Sequence, residues 1–224
     1  MNKLCIVIPM KSPSRSKQRL ASCLLDQERE TLAVGLFTNT LAFFHYHFPE
    51  LPILVVSESE YVLKLAENYG ALTLFDSGVD GLNGALTSAT NWIMNAGFTR
   101  QLIIPSDIAL LERSEINTLL RAANVNQVVI ARAKDGGTNA LLLSPPNVIP
   151  FSYGQDSANL HEQKAKDKDC ACSMLHLENF SLDIDNQRDL YQAAKYQPHR
   201  YRHWVNNTPA MLTDAQPEKA RLYA

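Results

Sequence analysis

Short apolar runs alternate along this chain with longer stretches whose apolar positions repeat at helical spacing. Residues 4–9 form an unbroken apolar run closed by Pro9, which predicts a first strand buried on both faces. A polar, basic stretch follows. Residues 26–48 then place Leu32, Leu36, Phe37, Leu41 and Phe44 near a 3.6-residue period, which predicts a helix. The alternation continues with a strand over 53–57, a helix over 58–69 stopped by Gly70, a strand over 71–76 and a helix over 81–95. A strand over 101–107, a helix over 114–123 and a strand over 127–132 complete the regular part. Strands and helices alternating through short links predict βαβ units, hence a mostly parallel sheet with helices on both faces.

The rhythm breaks after residue 132. A glycine-containing loop at 134–138 leads to a strand over 140–144, and 145–172, with three prolines, reads as irregular. A late strand over 174–185 is expected to join the sheet antiparallel, making it mixed, before a last helix over 186–195. Residues 197–224 have weak periodicity and read as a tail that packs on the domain or a second subunit, or is partly disordered. The expected organisation is one α/β domain, 1–195, and a C-terminal tail, 196–224.

Composition narrows the class without choosing a function. The 224 residues are 46% hydrophobic and 20% charged, with a formal net charge of -2, as in an ordinary globular protein. There is no basic excess of the kind a duplex-binding domain carries, so nucleic acid is not an expected partner. No apolar run is long enough to cross a bilayer, and the N-terminal one is too short for a secretory signal, so a cytoplasmic protein without a membrane partner is expected. Cys5, Cys23, Cys170 and Cys172 show neither zinc-site spacing nor a disulfide framework.

Candidate chemistry sits where the predicted strands end, since ligands of open α/β sheets bind outside the carboxyl ends of the strands. Lys11, Arg15, Lys17 and Arg19 follow the first strand, four cations within nine residues. Such a cluster neutralises phosphates and developing charge, although a solvated basic loop has the same composition. No G-x-G-x-x-G or Walker-type lysine loop is present. Asp107 ends the fourth predicted strand, and Asp183 and Asp185 flank Ile184, two apart and so on one side of a strand. Three converging carboxylates require a hard cation, and one or two magnesium ions bridging them to a triphosphate is the natural expectation. A helix cap accounts for one of the later pair, not both. Asp135-Gly136-Gly137-Thr138-Asn139 offers backbone N–H groups and a hydroxyl to an anion. Ser157 and His161 stand one helical turn apart, but no nucleophile-elbow pattern surrounds Ser157; it reads as an anion donor and His161 as structural.

Taken in order, these segments resemble the CofC family, guanylyltransferases of coenzyme F-420 (deazaflavin) biosynthesis, from about residue 4 to residue 190. The resemblance is carried by Ile8-Pro9-Met10-Lys11 through Lys17-Gln18-Arg19-Leu20, Gly81-Leu82-Asn83-Gly84-Ala85-Leu86 and Pro105-Ser106-Asp107. It continues in Gly137-Thr138-Asn139-Ala140-Leu141-Leu142-Leu143, Tyr153-Gly154 with Ser157 and His161, and Leu182-Asp183-Ile184-Asp185 leading to Asp189-Leu190. It implies a Rossmann-like nucleotidyltransferase fold of the glycosyltransferase-A type, with a basic first loop where sugar-nucleotide and molybdopterin relatives have glycines. It implies transfer of GMP from GTP to a small phosphorylated carboxylic acid: 2-phospho-L-lactate, phosphoenolpyruvate or 3-phospho-D-glycerate. Pyrophosphate is released and the product passes to a downstream transferase.

By the same resemblance Lys11, Lys17, Arg19 and Asp107 are the catalytic candidates, and Pro9, Lys11, Arg15, Lys17, Leu82, Asn83 and Asp107 face the nucleotide. Thr138, Asn139, Gly154 and Ser157 face the acceptor, and Asp107, Asp183 and Asp185 hold magnesium. A homodimer is among the expected partners. Another acceptor, or a non-catalytic GTP-binding subunit, are the alternatives. The family's Phe-Gly-Pro-Gly-Ser is Tyr153-Gly154-Gln155-Asp156-Ser157 here, which sets an extra carboxylate beside the acceptor. Nothing in the family matches the segment from Gln197, with Arg200, Arg202, His203 and Trp204, which reads as packing.

Overall fold

A computed structural model describes residues 3–206. Seven strands form one sheet in the order β3-β2-β1-β4-β6-β5-β7. The strands are β1 (Leu4–Pro9), β2 (Ile53–Ser57), β3 (Leu72–Phe75), β4 (Arg100–Ile103), β5 (Val128–Arg132), β6 (Thr138–Leu143) and β7 (Cys172–Leu175). Six were expected near these positions. The seventh departs from expectation twice: it ends ten residues early, and it lies parallel to β5. The antiparallel member of the mixed sheet is instead β6, which pairs with both β4 and β5.

Residues 176–185 leave the sheet: side chains and a local turn satisfy the backbone of 179–182 in place of a strand ladder. The Glu115 carboxylate accepts from the N–H groups of Asn179 (3.1 Å) and Phe180 (2.9 Å), and the Asn139 amide donates to the Phe180 carbonyl (2.8 Å). A single antiparallel bridge, Ile108 to Asp183, then lays the segment beside the chain that follows β4. This bridge carries Asp183 and Asp185 alongside the turn that holds Asp107.

Helices α1 (Asp26–His47), α2 (Glu60–Glu67) and α4 (Arg113–Ala122) cover one face of the sheet, α3 (Gly81–Asn95) and α5 (Ser157–Asp167) the other. Alternation in β1 feeds both cores: Leu4, Ile6 and Ile8 face α1, whereas Cys5 and Val7 face α3. Helix α5 falls inside the stretch expected to be irregular. Its buried stripe is Ala158, His161 and Ala165, small or polar residues that give little apolar periodicity to read.

Helix α6 (Gln187–Tyr196) is capped by Asn186, whose side chain accepts from Arg188 and Asp189, while Asp189 accepts in return from Asn186. The cap is therefore neither Asp183 nor Asp185. Residues 198–206 of the expected tail form a further helix, α7 (Pro198–Asn206). Its Tyr201 is buried with Leu20, Ile184 and Leu190, and donates to the Ala109 carbonyl (2.9 Å). The rest of the expected tail lies outside the described residues.

Candidate nucleotidyl-transfer site

The strand order reverses at β1, with β2 on one side and β4 on the other, and a crevice opens there at the carboxyl ends. A cavity of about 580 Å³ occupies it, lined among others by Pro9, Lys11, Arg15, Lys17, Leu82 and Asp107. The loop after β1 is folded by two short 3-10 turns, Pro13–Arg15 and Gln18–Leu20. Between them Lys17 adopts a left-handed conformation (φ 54°), uncommon for a residue with a Cβ. That local strain turns its side chain inward.

The four cations separate into distinct roles. Lys17 is the inner one, its side chain 5% exposed, with Nζ 2.8 Å from Asp107 Oδ2 and 3.3 Å from Asp185 Oδ1. Burial alone would lower its ammonium; the facing carboxylates outweigh that and hold it above its ordinary value. Arg19 is exposed and reaches Asp185 Oδ2 at 3.4 Å. Arg15 pairs with Glu58, the first residue past β2, whose carboxylate also accepts from the Ser12 N–H (2.9 Å). Lys11 is exposed in the crevice with no ion-pair partner among the described residues.

Asp107, Asp183 and Asp185 come together, with Lys17 between two of them. Burial, and then the charges of Asp107 and Asp185, push the Asp183 carboxyl up to about 6. Among the described residues no three acidic, His or Cys side chains close around one point as an ion's cage would. The donor chemistry nevertheless fits a hard divalent ion, since Lys17 and Arg19 offset only part of the charge of three carboxylates.

A second cluster stands at the same sheet edge, where antiparallel β6 begins. Thr138 Oγ1 lies 3.0 Å from Ser157 Oγ, at the first turn of α5, and 3.1 Å from His161 Nδ1. All three are buried. Gly154 takes φ 139°, open only to glycine, as the chain turns into α5. His161 contacts Thr138 rather than Ser157, so the pair does not form a nucleophile and base.

Three expected ligand groups are engaged within the protein. Asn139 braces Phe180 through the bond from its amide. Asn83 does not line the cavity; its amide clamps Tyr153, accepting from the backbone N–H (2.8 Å) and donating to the carbonyl (3.2 Å). The glycine loop spends its N–H groups on its own turn, Gly136 on the Ala133 carbonyl and Gly137 on Asp135. Asp156 is tied to Asn159 and Arg132 rather than standing free beside Thr138 and Ser157. Glu58 and Arg132 are not among the residues singled out by the sequence, although each sits at a strand's carboxyl end, where ligands of open α/β sheets bind.

The chain matches the family model described as "Guanylyl transferase CofC like" over residues 4–195. It belongs to the CofC family. A 3-phospho-D-glycerate guanylyltransferase from Colwellia psychrerythraea is 44% identical over 186 residues, covering 83% of this chain and 88% of that protein. A 2-phospho-L-lactate guanylyltransferase from Methanothermobacter thermautotrophicus is 33% identical, covering 84% and 82%. A phosphoenolpyruvate guanylyltransferase from Sphaerobacter thermophilus is 30% identical, covering 86% and 93%.

Among solved structures, 4-diphosphocytidyl-2C-methyl-D-erythritol synthase from Anaerococcus prevotii superposes with a TM-score of 0.62 at 13% identity, covering 88% of this chain and 96% of that one. A nucleotidyl transferase from Methanothermobacter gives 0.59 at 11%, covering 93% and 100%. These confirm the nucleotidyltransferase fold. This CofC member is an enzyme of the guanylyltransferase class, and Lys17 anchors its basic first loop to the acidic cluster.

Proposed function

We propose that this CofC protein transfers GMP from GTP to 3-phospho-D-glycerate, releasing pyrophosphate, as a step in coenzyme F-420 biosynthesis. The observation that carries the reading is the buried Lys17 ammonium held against Asp107 and Asp185 at the reversal of strand order. Support for this acceptor, over 2-phospho-L-lactate and phosphoenolpyruvate, comes from the 44% identity to a 3-phospho-D-glycerate guanylyltransferase.

An acceptor phosphate oxygen attacks the α-phosphorus of GTP in line. A new P–O–P link forms, the bond to the β-phosphate oxygen breaks, and the electron pair leaves on pyrophosphate. The attacking phosphate is already deprotonated near neutral pH, so no general base is needed. Positioning and charge neutralisation supply the catalysis. Lys11 and Arg15, which line the crevice, bind the triphosphate, with Arg19 reaching its edge through Asp185, while Lys17 holds a fixed positive charge beside the reacting groups. Leu82 gives the guanosine an apolar wall. Thr138, Ser157 and the Gly154 turn hold the acceptor's phosphate or carboxylate, with Asn83 and Asn139 positioning their segments. Asp107, Asp183 and Asp185 would hold magnesium, which when bound offsets the charge of the triphosphate and the departing pyrophosphate. The product is an activated anhydride, suited to a downstream transferase.

The acceptor is tested by measuring kcat/KM for the three acids with GTP and magnesium in a coupled pyrophosphate assay. 3-Phospho-D-glycerate is expected to lead by at least about tenfold, the worth of one well-made hydrogen bond to a charged group. A lead for either other acid would overturn the acceptor while leaving the transfer chemistry in place.

A further inference from the structure

The Thr138–Ser157 pair has a hydrogen-bonding direction that its neighbours fix. Backbone Ser152 N–H, which can only donate, lies 2.9 Å from His161 Nε2. Nε2 is therefore an acceptor and carries no proton. The ring is fully buried, and burial together with the Lys164 cation pushes it down to about 4, so it is neutral at physiological pH. A neutral imidazole with a bare Nε2 carries its proton on Nδ1. That N–H points at Thr138 Oγ1, 3.1 Å away.

Thr138 and Ser157 own two O–H groups, and the 3.0 Å contact between them uses one. His161 is a donor to the pair, so it takes no proton from either. One O–H is consequently left to point out of the pair, whichever of the two hydroxyls supplies it. The opposite tautomer would draw Thr138 O–H into Nδ1 and Ser157 O–H into Thr138, leaving no donor for a ligand. Lys164, one turn beyond His161, binds the Phe151 carbonyl (3.2 Å) and the Ser152 hydroxyl, and so holds the Ser152 N–H in place.

We propose that His161 is a positioning residue whose fixed tautomer makes the Thr138–Ser157 pair a net hydrogen-bond donor to the phosphate or carboxylate of the acceptor. This rests on the proposed role of the pair in holding the acceptor. It also explains a buried histidine that takes no part in proton transfer.

Two replacements separate direction from packing. Glutamine at 161 puts an amide where Nε2 stands, satisfying Ser152 but withdrawing the donor from Thr138; asparagine puts its amide where Nδ1 stands and restores that donor. His161→Gln is expected to raise KM for 3-phospho-D-glycerate about tenfold with KM for GTP within about twofold, and His161→Asn to recover most of the loss. Nitrogen-15 spectra of the unmodified protein at pH 7 should show the Nδ1-protonated tautomer. The inference is overturned by the Nε2-protonated tautomer, by an unchanged acceptor KM in a folded His161→Gln, or by an asparagine variant as impaired as the glutamine one. Thr138→Val and Ser157→Ala test the underlying reading: no effect on acceptor KM from either removes the acceptor site itself. An effect from them without one from His161→Gln overturns only the inference.

Discussion

Lys17 shows how one residue is given a role that its three basic neighbours do not share. A left-handed backbone turns the side chain inward, burial removes its water, and two carboxylates replace it. Replacing Lys17 by methionine keeps the volume and deletes the charge. Turnover is expected to fall by about 10²–10³-fold, the usual loss when one charge-stabilising donor is removed. Lys11→Ala, at an exposed position, should cost less than about tenfold and act mainly on KM for GTP. Comparing kcat with KM(GTP) for the two variants checks the distinction. His161 supplies a second prediction, for stability. Its folded-state pKa lies near 4, below the ordinary 6.5, so between these values the unfolded chain binds the extra proton. Stability from this group is fully present above about pH 6.5 and is lost as pH falls toward 4, by on the order of 3 kcal/mol. Urea denaturation at pH 7 and pH 4.5 should show a steeper acid loss for the native chain than for His161→Gln; parallel losses would contradict the assignment.

Elements whose periodicity is carried by apolar side chains are legible in the amino-acid sequence. Helix α3 falls at the residues its pattern predicts, and β1, β2 and β5 within a residue of theirs, because Val, Ile and Leu dominate the buried strands and Leu86 and Ile93 mark the buried face of α3. Helix α5 is not legible, since it buries alanine and histidine. The predicted late strand overruns β7 because long-range side-chain bonds from Glu115 and Asn139 replace a ladder after residue 175. The candidate site is readable to the extent that its residues follow strands: the basic loop comes directly after β1, whereas Asp107, expected to end a strand, lies in a turn four residues after β4 stops at Ile103. The engagement of Asn83 and Asn139 within the protein is not, because an amide's partner seventy or forty residues away leaves no local trace. Asn83 yields a prediction at this scale. Asn83→Ala removes both bonds holding Tyr153 and should loosen residues 151–156, raising KM for the acceptor several-fold and lowering stability by about 1–2 kcal/mol. Steady-state kinetics with saturating GTP, together with thermal unfolding, measure both.

At the scale of the molecule, the sheet and its two helical layers bring residues from widely separated segments to one edge. Those layers bury Phe37, Phe44 and Ile8 on one side and Leu86, Ile93 and Val7 on the other. No described helix is long and apolar enough to cross a membrane. A smaller core, of Leu20, Leu36, Ile184, Leu190 and Tyr201, joins the basic loop to α1, α6 and α7, and so stiffens the backbone on both sides of the Lys17–Asp185 pair. Tyr201→Phe, which leaves the Ala109 carbonyl unpaired, is expected to lower Tm by about 2–4 °C with little change in kcat. The central claim is guanylyl transfer at the cluster of Lys17 with the three aspartates. It is tested most directly by phosphorus NMR of a mixture of protein, GTP, magnesium and 3-phospho-D-glycerate, run beside Asp107→Asn. The account predicts a new P–O–P anhydride signal and an equal amount of pyrophosphate with the native chain, and neither with the variant. Equal product from both, or pyrophosphate without the new anhydride, would contradict it.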